Sequence, residues 1–188
     1  MNLNLNFFLL ENVGSMSKEN TNIISAALGV QPIRINSNLF SAQDRDRYYW
    51  TNIPQNMILQ TKNIVLKDIV EPAENIPEKY WYNQTFIYNG DNAKVQATLN
   101  LNGHDILKRV HNLNNKCGTL TCCRGGNLQK KVYQNNKCRK LIPLEYERLQ
   151  TLPDNYTKGV SDSQRYNCLG NCWTVKVIEH LFRGLTSK

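Results

Sequence analysis

The stretch Phe7-Phe8-Leu9-Leu10-Glu11-Asn12-Val13 runs four consecutive apolar residues straight into a carboxylate. Bounded by asparagine-rich sequence, such a run reads as a short strand buried on both faces. Glu11 then sits at the strand's carboxyl end, where open α/β sheets bind their ligands. The carboxylate is either a catalytic or binding group or a solvated loop residue. The segment alone leaves both open.

Charge is distributed unevenly. The 188 residues are 40% apolar, enough for one full domain or parts of two, and carry a formal net charge of +8. Residues 1–100 hold 8 Lys/Arg against 9 Asp/Glu, and residues 101–188 hold 15 against 6. No acid occurs from Ile106 to Leu144, where nine basic residues lie between Lys108 and Lys140. A field of one sign is what a polyanion-binding surface needs, although a solvated basic face has the same composition. The six cysteines contain no C-x-x-C pair, and Cys122-Cys123 fits no common zinc spacing, so no metal site is expected. Free thiols, a short first apolar run without a basic leader and no membrane-length segment suggest a cytoplasmic protein without a membrane partner. The 26 asparagines favour turns and point to an AT-rich genome more than to chemistry.

Periodicity gives a coarse map. Ser17 to Leu28 reads as a helix with a serine start. Pro32–Asn36 and Arg47–Ile53 read as strands, and the short connection between them predicts antiparallel pairing. Residues 55–82 hold a weak pattern broken by Pro72 and Pro77. Residues 83–137 are glycine-punctuated and predict an irregular β-rich module. Pro143–Gln150 predicts a helix with proline in its first turn. Thr174–Leu185 places Val177, Ile178, Leu181, Phe182 and Leu185 on one stripe, which is a core-packing pattern.

Four segments read together carry more. Phe8-Leu9-Leu10-Glu11-Asn12-Val13, Ser41-Ala42-Gln43-Asp44-Arg45-Asp46-Arg47-Tyr48-Tyr49-Trp50, Arg139 to Asp154, and Leu169-Gly170-Asn171-Cys172-Trp173-Thr174-Val175 follow in that order. The series resembles the later motifs of the DNA cytosine-5 methyltransferases, with wording similar to the animal de novo enzymes and to phage and bacterial relatives. The resemblance implies an α/β fold: the C-terminal part of a Rossmann-like, S-adenosylmethionine-dependent sheet plus a small β-rich target-recognition domain. It implies domains at 1–82 (partial catalytic), 83–155 (target recognition) and 156–188 (return to the catalytic domain). It implies that Glu11 shares a proton with N3 of a flipped cytosine, and that Arg45 and Arg47 bind the base's O2 and nearby phosphate. The alternative, that both arginines pair with Asp44 and Asp46, stays open. It implies that Asn171, Cys172 and Trp173 touch S-adenosylmethionine. Gln43, Thr119, Arg124, Asn127, Lys130, Lys131 and Arg139 are the expected contacts to double-stranded DNA.

The departure from the family is equally specific. The family's nucleophile is a cysteine after a proline, and none of the six prolines here precedes a cysteine. No G-x-G cofactor turn occurs either. By the resemblance, the chain supplies only strands 5, 7 and 6 of the sheet and exposes the edge where strand 4 belongs. A complementary N-terminal methyltransferase polypeptide is therefore the expected partner, and the chain alone is expected to be inactive. The alternative is a non-catalytic DNA-binding remnant of such an enzyme. A nuclease built on His104, His111 and Asn112 lacks an accompanying acid cluster.

Overall fold

A computed structural model of the chain describes residues 7–55, 62–123 and 127–185. Its first sheet begins with β1 (Leu9–Val13), followed by α1 (Lys18–Leu28) and β2 (Ile33–Asn36). The helix starts where the sequence predicts. Ser17 accepts from the Asn20 N–H, and Gly29 closes the helix at φ 69°, a left-handed conformation that favours glycine. After the short β3 (Gln43–Asp44), β4 (Asp46–Thr51) runs antiparallel to both β1 and β2. The resulting order, β1-β4-β2, matches the expected 5-7-6 arrangement and leaves β1 at an edge among the described residues.

Two features of β1 differ from expectation. The strand continues to Val13, and the Gly14 N–H still donates to the Asp46 carbonyl at 3.0 Å, so Glu11 lies mid-strand. Nor is the apolar run buried on both faces, because Phe7 is 51% and Leu10 39% exposed. An edge strand has a neighbour on one side only, and apolar side chains beyond it have nothing to cover them.

Residues 62–82 form three single 3-10 turns, Leu66–Asp68, Ala73–Asn75 and Glu78–Tyr80, the last two beginning after Pro72 and Pro77. The expected β-rich module follows as β5 (Phe86–Tyr88), β6 (Val95–Leu99), β7 (Arg109–His111), β8 (Cys117–Gly118), β9 (Lys131–Gln134) and β10 (Lys137–Lys140). Five of these form one sheet in the order β10-β9-β7-β6-β5. Asn135 and Asn136 turn the β9–β10 hairpin at φ 48° and 59°. Tight two-residue hairpins need that conformation twice, and asparagine tolerates it. β8 leaves the sheet and pairs in parallel with β3, which ties the module to the first unit.

Three helices complete the chain. α2 (Pro143–Leu149) carries proline in its first turn as predicted. α3 (Asp162–Asn171) is absent from the sequence reading, because its polar face hides the periodicity; the capping box of Ser161 and Gln164 was its available signal. α4 (Val175–Phe182) packs Val177, Ile178 and Leu181 against Ile35 and Tyr49 on one face of the first sheet. Trp50, next in sequence and turned the other way, donates to Ser25 Oγ of α1 at 2.9 Å. The largest buried cluster draws Ala42 and Leu66, then Leu120, Val132 and Tyr146, then Tyr166 and Leu169 into one core. All three expected segments contribute to it.

Arg139 belongs to this interior. Its guanidinium is fully buried and donates to both Glu145 oxygens at 2.7 and 2.8 Å and to Gln134 Oε1 at 2.7 Å. Glu145, also fully buried, further accepts the Ile142 and Glu71 N–H groups at 2.8 and 2.9 Å. This corrects the expected DNA contact: β10 turns Arg139 inward onto the start of α2, and its donors are satisfied there. Removing one partner of such a pair strands a buried charge, which costs about 3–5 kcal/mol. Glu145→Ala should therefore lower unfolding stability by about that amount in urea titration, while the double change Arg139→Met with Glu145→Leu recovers most of it. An unchanged midpoint for Glu145→Ala would contradict the role given to the pair.

Candidate active site

One open cleft of about 380 Å³ gathers residues from four separate parts of the chain. β1 contributes Glu11, the strand at β4 contributes Arg47 with Arg45 just before it, the 119–122 segment contributes Thr119 to Cys122, and the end of α3 contributes Gly170 and Asn171. Glu11 and Arg47 meet because Glu11 lies opposite Tyr49 and Val13 opposite Arg47 in the β1–β4 register, which puts all four side chains on one face. Arg47 Nε lies 2.7 Å from Glu11 Oε1, with both side chains mostly buried, and Arg47 Nη1 donates to the Asp46 carbonyl at 2.8 Å. Burial, with the Glu11 charge beside it, pushes the Tyr49 hydroxyl well above the usual range, so it stays neutral in the core behind the pair.

The pairing of both arginines with their neighbouring acids does not occur. Asp46 is held by Arg34, at 2.5 Å, and Asp44 accepts from Asn38 Nδ2 at 2.9 Å. Arg45 is 5% exposed and aims at backbone: Nη1 donates to the Leu120 carbonyl at 3.0 Å and Nη2 to the Cys172 carbonyl at 3.1 Å. Burial, and then the like charge of Arg47, lower its pKa, yet an arginine remains charged at neutral pH. Arg45 therefore acts as a strut between β3–β4, the 119–122 segment and the end of α3. Gly170 permits this closeness, since a Cβ there would meet the Thr121 carbonyl oxygen at 2.3 Å.

A second buried brace runs beside it. Gln43, fully buried, donates to the Leu149 carbonyl and to Gln150 Oε1, both at 3.3 Å, and accepts the Leu120 N–H at 2.8 Å. Gln150 in turn donates to the Leu169 carbonyl at 2.7 Å and the Cys172 carbonyl at 3.2 Å, and accepts from Thr174 Oγ1 at 3.0 Å. The expected DNA contact of Gln43 is thus corrected, because both ends of its amide are taken by backbone and by Gln150. Sequence reasoning missed Gln150 altogether; its role rests on contacts far apart in the chain, and no local pattern announces them.

The remaining expected residues divide. Thr119 lines the cleft while its Oγ1 donates to the Asp44 carbonyl at 2.8 Å. Lys131 is 1% exposed and donates to the Asn127 and Gln129 carbonyls at 2.6 and 2.8 Å, which corrects its expected contact with DNA. Burial, and then the neighbouring Lys130, bring the Lys131 pKa down to about 8. Asn127 and Lys130 are partly exposed, and Arg124 lies outside the described residues. Asn171 lines the cleft and accepts from Cys122 Sγ at 2.7 Å; Cys122 and Thr121 are cleft residues that the sequence did not single out. Cys172 and Trp173 lie beyond the cleft, with the Trp173 indole 42% exposed. An exposed amide and an exposed indole fit one wall of an S-adenosylmethionine site. No group of His, Cys, Asp and Glu suited to a metal occurs among the described residues, and no helix among them is long and apolar enough to cross a membrane.

Comparison with known proteins agrees with this arrangement. The orphan methyltransferase M.SPBetaI of Bacillus phage SPbeta is 27% identical over a match covering 46% of this chain and 31% of that protein. The type II methyltransferase M.BanI of Aneurinibacillus aneurinilyticus is 43% identical over 29% of this chain and 13% of its own length. The matches thus span about a third or less of these curated relatives. Among solved structures, a putative DNA modification methyltransferase encoded in an E. coli prophage superposes with a TM-score of 0.65 at 17% identity, covering 96% of this chain and 68% of that one. The Dnmt2 methyltransferase of S. pombe gives 0.62 at 16% identity, covering 96% and 67%. These neighbours share the mixed α/β, Rossmann-like fold of methyltransferases. The family model for C-5 cytosine-specific DNA methylase matches residues 3–187, and the chain belongs to that family.

Proposed function

We propose that this chain is the C-terminal part of a DNA (cytosine-5-)-methyltransferase, which moves a methyl group from S-adenosylmethionine to C5 of a cytosine flipped out of double-stranded DNA. The observation that carries this reading is the single cleft in which Glu11, Arg45, Arg47 and Asn171 converge from distant segments. A cytosine inside a duplex hides C5 and C6, so the base must leave the stack to react. Attack at C6 drives electron density into the ring toward N3 and O2. Glu11, oriented by Arg47, is the group that shares a proton at N3. Arg47 offers its remaining donors to O2, and Arg45 holds the cleft walls in place rather than reaching a phosphate. When bound, S-adenosylmethionine supplies the electrophilic methyl group. Asn171 and Trp173 would form one wall around it, with Cys172 between them.

The nucleophilic cysteine and the glycine-rich cofactor turn would come from a complementary N-terminal methyltransferase polypeptide. The open edge of β1, with Phe7, Leu10 and Val13 exposed, supports pairing with such a strand. The β-rich module, acid-free from Ile106 to Leu144, would lie along the DNA, with Thr119, Asn127 and Lys130 in reach.

Two measurements test this reading. In the assembly completed with the Pro-Cys polypeptide, Glu11→Gln should lower the methyl-transfer rate by about 10²–10⁴-fold while leaving DNA affinity unchanged. Unchanged turnover would remove Glu11 from the mechanism. DNA binding by this chain should weaken steeply with salt, log affinity falling with a slope of about −0.9 per phosphate neutralised. The double change Arg139→Met with Glu145→Leu should leave that slope as it is, since the pair it replaces is fully buried. A flat salt response would sink the basic-surface argument.

A further inference from the structure

The 118–121 segment has a second side. Thr119 and Thr121 line the Glu11 cleft, and both also line a separate cavity of about 240 Å³ in the β-rich module. Ile106, Leu107 and Leu128 give this cavity apolar walls, with Ile106 61% and Leu128 39% exposed. The polar side chains His111 and Lys130 line it. His111 Nδ1 is buried without a hydrogen-bond partner, and Lys130 forms no ion pair among the described residues. The groups acting electrostatically on Lys130 are two neutral thiols, Cys117 and Cys123, and the like charge of Arg109, while burial lowers its pKa. Burial, and then Lys130 and three further cations, bring His111 down to about 4, so the imidazole is neutral.

A partly buried ammonium with no acceptor is costly, and an incoming acceptor relieves that cost. We propose that this cavity reads a guanine of the DNA recognition sequence, with Lys130 donating to the base's O6 and N7 and His111 completing the polar contact at its edge. The inference rests on the DNA-methyltransferase reading above and names a base that its recognition module selects. Guanine alone presents two acceptors side by side in the major groove, whereas adenine and cytosine present an amino group there. An ammonium has donors only, so it finds no partner in those amino groups. The exposed apolar side chains Ile106 and Leu128 beside Lys130 suit the base edges and thymine methyls of the major groove better than the charged backbone.

The test is selection of random-sequence duplex DNA at one fixed salt concentration by the full chain and by Lys130→Met, Lys130→Arg and His111→Phe, with thermal melting as the check on folding. The wild type should enrich guanine at one fixed position. Lys130→Met should lose that preference by roughly 5- to 150-fold, leave other positions alone and melt no lower than wild type. Lys130→Arg should keep it, and His111→Phe should weaken the same position only. A Lys130→Met chain that binds every duplex more weakly by one factor, with a shallower salt dependence, would make Lys130 a phosphate contact and overturn the proposal. So would an unchanged guanine preference. If the wild type binds no DNA, the proposed function itself fails and takes this inference with it.

Discussion

The cleft depends on one buried guanidinium. Arg45 reaches the Leu120 and Cys172 carbonyls from the link between β3 and β4, and so joins the first sheet, the 119–122 segment and the end of α3. Without it the joint between the 119–122 segment and the end of α3 rests on the Gln43–Gln150 amides. The amide pair Gln43–Gln150 works on the same joints, and the Cys172 carbonyl accepts from both systems. Buried polar groups of this kind stabilise only when every member is satisfied, and here each one ends on backbone or on another member. The Q-x-R-x-R wording of this segment thus encodes two tasks, with Gln43 and Arg45 building the frame and Arg47 facing the cleft.

The same distinction applies to the positive charge. A basic sequence looks uniform, but the fold sorts it. Arg139 and Lys131 are interior groups that order the β9–β10 hairpin and its preceding loop, and neither presents its donors at the surface. Arg109, Lys137 and their exposed neighbours carry the surface charge. Lys130 is intermediate: it sits in a cavity wall, basic but without an acid beside it. Affinity for a polyanion and discrimination among bases are separate demands, and exposed and cavity-lining lysines differ in which of them they could meet.

Much of the first sheet was legible in the sequence because local signals agreed there. Ser17 starts α1, alternation marks β2, an aromatic-rich run before Pro54 marks β4, and the family resemblance implied the strand order. The extent of β1 was not legible, since pairing with β4, not hydrophobicity, carries the strand past Glu11 to Val13. α3 was hidden by its polar composition. Of the site, Glu11, Arg47, Thr119 and Asn171 were readable and do line one cleft. The burial of Gln43, Lys131 and Arg139 was not readable, because a charged or amide side chain looks the same in sequence whether it meets solvent or a carbonyl a hundred residues away. Gln150 and Cys122 were missed for the same reason.

The proposed function requires that this cleft serve a cytosine once a complementary polypeptide completes the sheet beyond β1. The most direct measurement is transfer of tritiated methyl from S-adenosylmethionine to DNA by this chain, by the Pro-Cys polypeptide and by the two together. Label at cytosine C5 is expected with the mixture and none with either part alone. Silence in the mixture, with both parts folded and associated, would contradict it and leave a DNA-binding remnant as the better description.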